Sequence, residues 1–183
     1  YQHHVARISK TMLRRGAERV ITAGKANAEA VRRMDDYAFH QTLRNCVLTE
    51  GIARRLDERD LLKRAVWAEL DAVPEAVLDA DHEERREIEA TVAEAAGVDP
   101  DTVLLDVPPE PEMTESTSRV LVNGEVRALG EQSTLVNALR RAQRDQWRLG
   151  IYAPDRVAER VGDAAVRTLG LDVDGTLVRD VRT

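Results

Sequence analysis

The chain has 183 residues, of which 43% are hydrophobic, 33% charged and only 3% aromatic. That is enough apolar material for one domain or two small ones, with a core of Leu, Val, Ile and Ala rather than rings. No run of about 18 apolar residues offers a membrane span, and no signal peptide is visible. Charge is segregated: residues 1–67 carry 14 basic and 8 acidic side chains, residues 69–115 carry 2 and 16, and residues 116–183 carry 11 and 9. A basic first third in a chain of net charge −6 points to a polyanion such as nucleotide phosphate, or to a solvated helix face.

Val5, Ile8, Met12 and Val20-Ile21 recur at helical spacing, with Arg and Lys between them, so 4–22 is predicted as an amphipathic helix. Residues 26–34 continue helical. Asp35 or Asp36 can cap the next helix, whose apolar stripe is Phe39, Leu43, Cys46 and Val47. A further helix covers about 49–56, and the helical reading carries on through DERDLLKRAVWAEL to residue 70. Pro74 starts a short helical piece, and 82–96 form a charged helix ending at Gly97. TVLLDV (102–107) is a strand stopped by Pro108-Pro109, and PPEPEMTEST is an exposed loop. Two β-rich runs flank Asn123-Gly124, the preferred pair for a tight hairpin. Ser133 caps a helix through about Arg148, Leu149–Ala153 is a short strand, and Asp155 opens a last helix to Leu169.

The expected fold is therefore α+β, mostly α. A helical bundle over 1–72 precedes a small lobe over 73–171 with a mainly antiparallel sheet and two to three helices, and 172–183 form a polar tail. Cys46, the single cysteine, cannot form an internal disulfide; it reads as a small buried side chain and fits a cytoplasmic location.

Few catalytic patterns are present. Asp172-Val173-Asp174-Gly175-Thr176 looks like the nucleophile loop of haloacid-dehalogenase-type phosphatases. That loop ends a buried strand, whereas DAAVRTLGL before it reads as helix plus glycine stop, and Asp-Gly is a common turn pair. The expectation is chance similarity in a polar tail. No phosphate-binding loop, serine-hydrolase elbow or zinc spacing occurs. His82 lies at a charged helix start and reads as solvent-exposed. Arg7, Arg14, Arg15 and Arg19 on the first helix allow a DNA-binding reading, but no helix-turn-helix spacing supports it, so nucleic acid is not the expected partner.

The informative stretches are YQHHVARISKTML at the start, MDDYAFHQTL (34–43) and LDERDLLKRAV (56–66). In order and approximate spacing they resemble the C-terminal half of HD-domain deoxynucleoside triphosphate triphosphohydrolases, the family of the SAM-and-HD-like enzymes. VLLDVPPEPEM and the hairpin–helix segment resemble the family's C-terminal lobe. The resemblance implies that Tyr1 lies against the substrate nucleotide. It implies that His3 and His4 face an activating nucleotide at a subunit interface, with His4 in place of a Lys, and that Arg59 and Lys63 touch activator phosphates. The family's divalent metal is held by an H…HD…D set, and no His-Asp dipeptide occurs here. The catalytic half is thus expected upstream of Tyr1, and this chain is expected to be inactive alone. It would contribute nucleotide contacts and homo-oligomer contacts, with no metal site and no membrane association. The alternative is a stand-alone helical interaction module without catalytic activity.

Overall fold

The computed structural model describes residues 4–111, 118–129 and 133–172. Helix α1 (His4–Thr22) buries Ile8, Met12 and Val20 along one stripe. Helix α2 (Ala28–Arg33) is short, capped by Asn27, and buries nothing. Helix α3 (Asp36–Arg44) takes its cap from Asp35, whose carboxylate accepts from the Ala38 amide. The expected stripe divides at the end of this helix: Leu43 and Cys46 are buried, while Val47 is 83% exposed in the turn that follows. Helix α4 (Glu50–Asp57) completes the helical layer, in which Val20, Leu43 and Ala53 form one small core.

Residues 63–69 overturn one expectation. They form strand β1 (Lys63–Glu69), not a continuing helix. Lys, Arg, Ala and Glu give this stretch good local helix propensity, but its partner lies some eighty residues later. There β5 (Arg148–Ala153) pairs with it antiparallel, Lys63 opposite Ala153 and Glu69 opposite Arg148. Propensity is a weak preference that non-local pairing and burial override.

Helix α5 (Glu75–Leu78) follows Pro74, and α6 (His82–Ala96) begins at a capping box between Asp81 and Glu84 and ends at Gly97. Strand β2 (Leu104–Asp106) pairs antiparallel with the other edge of β5, so the sheet order is β1-β5-β2. Strands β3 (Arg119–Val122) and β4 (Glu125–Ala128) form the expected hairpin, as a separate two-stranded sheet. Asn123 and Gly124 both take positive φ, 51° and 83°, the condition for a tight primed turn. Helix α7 (Thr134–Gln146) is capped by Ser133, and α8 (Asp155–Leu169) packs on β1 and α6.

The three-stranded sheet is buried on both faces. Val66, Leu105, Leu149 and Ile151 join the main core with Val92, Ala93, Val161 and Ala165 of α6 and α8. Leu104 and Tyr152 point the other way, to Ile8 and Met12 of α1, with Trp67 packed alongside. The result is helix α1, sheet, then helices α6 and α8: an α+β fold, mostly α, with a small antiparallel sheet. No helix among the described residues is long and apolar enough to cross a membrane.

Candidate functional site

The first turn of α1 carries Arg7 onto the sheet face that Tyr152 and Trp67 line. Arg7 reaches across to β2, its Nε donating to Asp106 Oδ2 at 2.8 Å with Nη2 2.7 Å from the same oxygen. The Tyr152 hydroxyl donates to that oxygen as well, at 3.2 Å. Gly150, opposite Asp106 in the ladder, makes room for this: a Cβ there would stand 2.6 Å from Tyr152 Cζ. Burial, and then the Asp106 carboxylate, push the phenol well above its ordinary value, with Arg7 acting against them.

The other side of Arg7 faces an indole. Its guanidinium carbon lies 4.6 Å from the Trp67 ring centroid, and that of Arg64 lies 5.5 Å from it. Two cations therefore lie against one indole, at distances where cation–π attraction operates. Arg7 Nη1 is buried and has no hydrogen-bond acceptor among the described residues. A buried unsatisfied donor is costly. The positive end of a 19-residue helix whose first turn holds no acid favours an anion.

The sequence-predicted residues distribute unevenly around this point. His4 is half-buried on the first turn of α1. Lys63 stands at the head of β1, next to Arg64. Arg59 lies beyond α4, in a left-handed conformation with φ 56°. Both side chains are exposed. Tyr1 and His3 lie outside the described residues. Asp106, Trp67 and Tyr152 went unmarked in the sequence. Their signals were faint: a lone acid in an apolar strand, and a glycine two residues before a tyrosine.

The arginines of α1 are not a free face. Arg14 Nη2 donates to the Leu105 carbonyl at 3.2 Å. Arg15 is buried against Glu89, which also accepts from the Leu105 amide at 2.7 Å and from Arg86 at 2.5 Å. Arg86 pairs in turn with Glu18, and Arg19 with Asp101 at 2.5 Å. These side chains fasten α1 to α6 and β2, so they do not form the exposed basic stripe that the DNA-binding reading needs. His82 stands exposed, 3.9 Å from Glu18.

Beside α1 runs a groove of about 850 Å³, floored by Met12, Leu62 and Leu104 and edged by Arg54 and Arg55. No group of three His, Cys, Asp or Glu side chains among the described residues is arranged to hold a metal ion. The Asp172 amide donates to the Ala72 carbonyl at 3.1 Å, and the helix before it closes at Gly170, where a phosphatase nucleophile loop would need a strand. Residues 173–176 of that motif lie outside the described residues.

A family model described as "HD associated region" matches residues 1–180. An uncharacterised protein of Methanocaldococcus jannaschii is 26% identical over 158 residues, covering 84% of this chain and 34% of its own length. The chain therefore spans about a third of the length of that relative.

Proposed function

This chain belongs to the family of HD-associated regions, and from that premise we propose that it is the accessory C-terminal part of a metal-dependent HD-type phosphohydrolase acting on deoxynucleoside triphosphates. The observation that carries the reading is the family match over nearly the whole chain. The start of α1 supports the nucleotide part: an unsatisfied Arg7 donor, two guanidinium groups on Trp67, and Lys63 nearby on β1. Metal-assisted attack of water on a phosphate belongs in this reading to the HD domain, outside this chain. The residues here bind and orient. Tyr1 packs on the nucleotide, His3 and His4 line a nucleotide at a subunit contact, and Arg59 and Lys63 meet phosphate oxygens as charge-assisted donors.

The test is steady-state hydrolysis of deoxynucleoside triphosphates by the full-length protein with a divalent metal, alongside the isolated chain. The full-length protein is expected to turn over and the isolated chain is not. In the full-length protein Lys63→Ala and Arg59→Ala should each raise KM or the activator constant roughly tenfold, the scale of one lost charged hydrogen bond, while a saturated kcat holds. A folded full-length protein that hydrolyses no nucleotide, or variants with unchanged constants, would overturn the reading.

A further inference from the structure

The hairpin of β3 and β4 carries Asn123-Gly124 at its tip, and the fold leaves that tip exposed and weakly held. Among the described residues the two strands pair only with each other, Val122 opposite Glu125 next to the turn. No side chain of either strand is buried, and Leu121 and Val126 are 72% and 62% exposed. A two-stranded hairpin of this kind is marginal in water, so it opens often. Asn123 and Gly124 are both exposed, and the space beside Gly124 is open: a Cβ there would meet nothing within 4 Å. The other three asparagines are placed differently. Asn27 accepts from the Ala30 amide through its side-chain oxygen, Asn45 closes α3 ahead of Cys46, and Asn137 lies inside α7 ahead of Ala138.

We infer that Asn123 is a site of spontaneous covalent modification: it cyclises onto Gly124, loses ammonia and reopens with water chiefly as isoaspartate, which ends the hairpin. In the first step hydroxide takes the Gly124 amide proton, and the nitrogen attacks the Asn123 side-chain carbonyl carbon. The new C–N bond closes a five-membered imide and ammonia leaves. Water then adds to one of the two ring carbonyls. Opening at the side-chain carbonyl gives aspartate. Opening at the main-chain carbonyl gives isoaspartate, whose backbone runs on through the former side chain. Glycine suits the step, because no side chain shields its nitrogen and its backbone turns freely, and asparagine is among the thermolabile residues. The closed turn opposes it. The φ values of 51° and 83° are those of a type I′ turn, whose first central residue has ψ of roughly +30°. That angle sets the Gly124 nitrogen on the far side of the Cα–C bond from the Asn123 side chain, so the ring closes from the opened hairpin. Isoaspartate then adds a backbone carbon to a turn whose two residues set the register, and Val122 no longer meets Glu125. Refolding does not reverse the change, which also adds a carboxylate to a chain of net charge −6. None of this depends on nucleotide hydrolysis.

The test is to hold the full chain for days in mildly alkaline buffer and map its peptides by mass spectrometry, with an isoaspartyl methyltransferase to mark isoaspartate. Position 123 should convert while Asn27, Asn45 and Asn137 stay intact. Its rate should lie within about a hundredfold of that of the free 119–128 peptide, because local opening of so exposed a hairpin costs little. The isoaspartate form, separated by anion exchange, should lose the nuclear Overhauser contacts between Leu121 and Val126 and keep those between Leu105 and Ile151 in the main sheet. Asn123→Gly leaves a Gly-Gly pair that also suits a primed turn; it should keep the hairpin contacts and yield no acidic form. An Asn123 that stays intact, or reacts more slowly than that limit, would overturn the proposal. So would equal conversion at Asn27, Asn45 or Asn137, or an isoaspartate form that retains the Leu121–Val126 contacts.

Discussion

Glu89 shows how much one side chain holds. It is 5% exposed and accepts from Arg15, from Arg86 and from the Leu105 amide, joining α1, α6 and β2 at one carboxylate. Removing one partner of a buried pair leaves the other as an uncompensated charge, at about 3–5 kcal/mol. Glu89→Gln strands Arg15 in this way, and urea unfolding at about pH 7 should show a loss of that size. A loss under about 1 kcal/mol would mean that water or Glu18 takes over. The pH dependence has a definite sign. Burial raises the Glu89 and Glu18 carboxyls above their ordinary 4.5, with Arg15 opposing the rise. The folded chain therefore holds these protons more tightly than the unfolded chain. Their contribution to stability declines as pH climbs from 4.5 through the raised values. Glu89→Gln should lack its share of that decline when unfolding midpoints are compared across the window.

Elements defined by their own ends were legible in the sequence. Asp81 and Glu84 bracket the first turn of α6, Ser133 precedes α7, Asn123-Gly124 turns the hairpin, and Gly170 closes α8. Each signal works through hydrogen bonds or backbone angles within a few residues. Strand β1 had no such signal. Its identity comes from β5 and from the two layers, one burying Val66 and the other packing against the half-buried Trp67. The separation of the hairpin from the main sheet was equally invisible, because nothing in RVLVNGEVRA names its neighbours. The same logic sizes a test. In the α6 capping box Asp81 accepts from the Glu83 and Glu84 amides, and Glu84 accepts from the Asp81 amide at 2.7 Å. Asp81→Ala should cost about 1 kcal/mol. Native-state hydrogen exchange should locate the loss in the first turn of α6, and an unchanged first turn would show that packing alone holds it.

Across the whole molecule, the segregated charge becomes a clasp. The basic first third meets the acidic middle through Arg7–Asp106, Arg15–Glu89 and Arg19–Asp101. Only the net charges of these segments were readable in advance; the pairings join residues about 75 to 100 positions apart. The candidate site is dispersed in the same way, over positions 7, 67, 106 and 152. Residues 1–72 and 73–171 also share the sheet, since β1 comes from the first segment and β5 from the second. The two tryptophans report on opposite sides of it. Trp147 is buried in the core against α6 and α8, its indole donating to the Pro108 and Pro109 carbonyls at 3.2 Å, and Trp67 packs on the α1 side. Peeling α1 away would expose Leu104 and Tyr152 and break Arg15–Glu89, so the α1 layer cannot leave without weakening the rest. Trp67→Phe leaves fluorescence from Trp147 alone, and Trp147→Phe leaves it from Trp67 alone. Each variant's fluorescence transition in urea should coincide with its own far-UV circular dichroism, as one cooperative unit requires. If the Trp67 signal instead melts first in its variant while helicity persists, the α1 layer is a separate folding unit docked by charge. In that case about 1 M salt should widen the gap between the two transitions, because the exposed Arg19–Asp101 pair is screened and the buried Arg15–Glu89 pair is not.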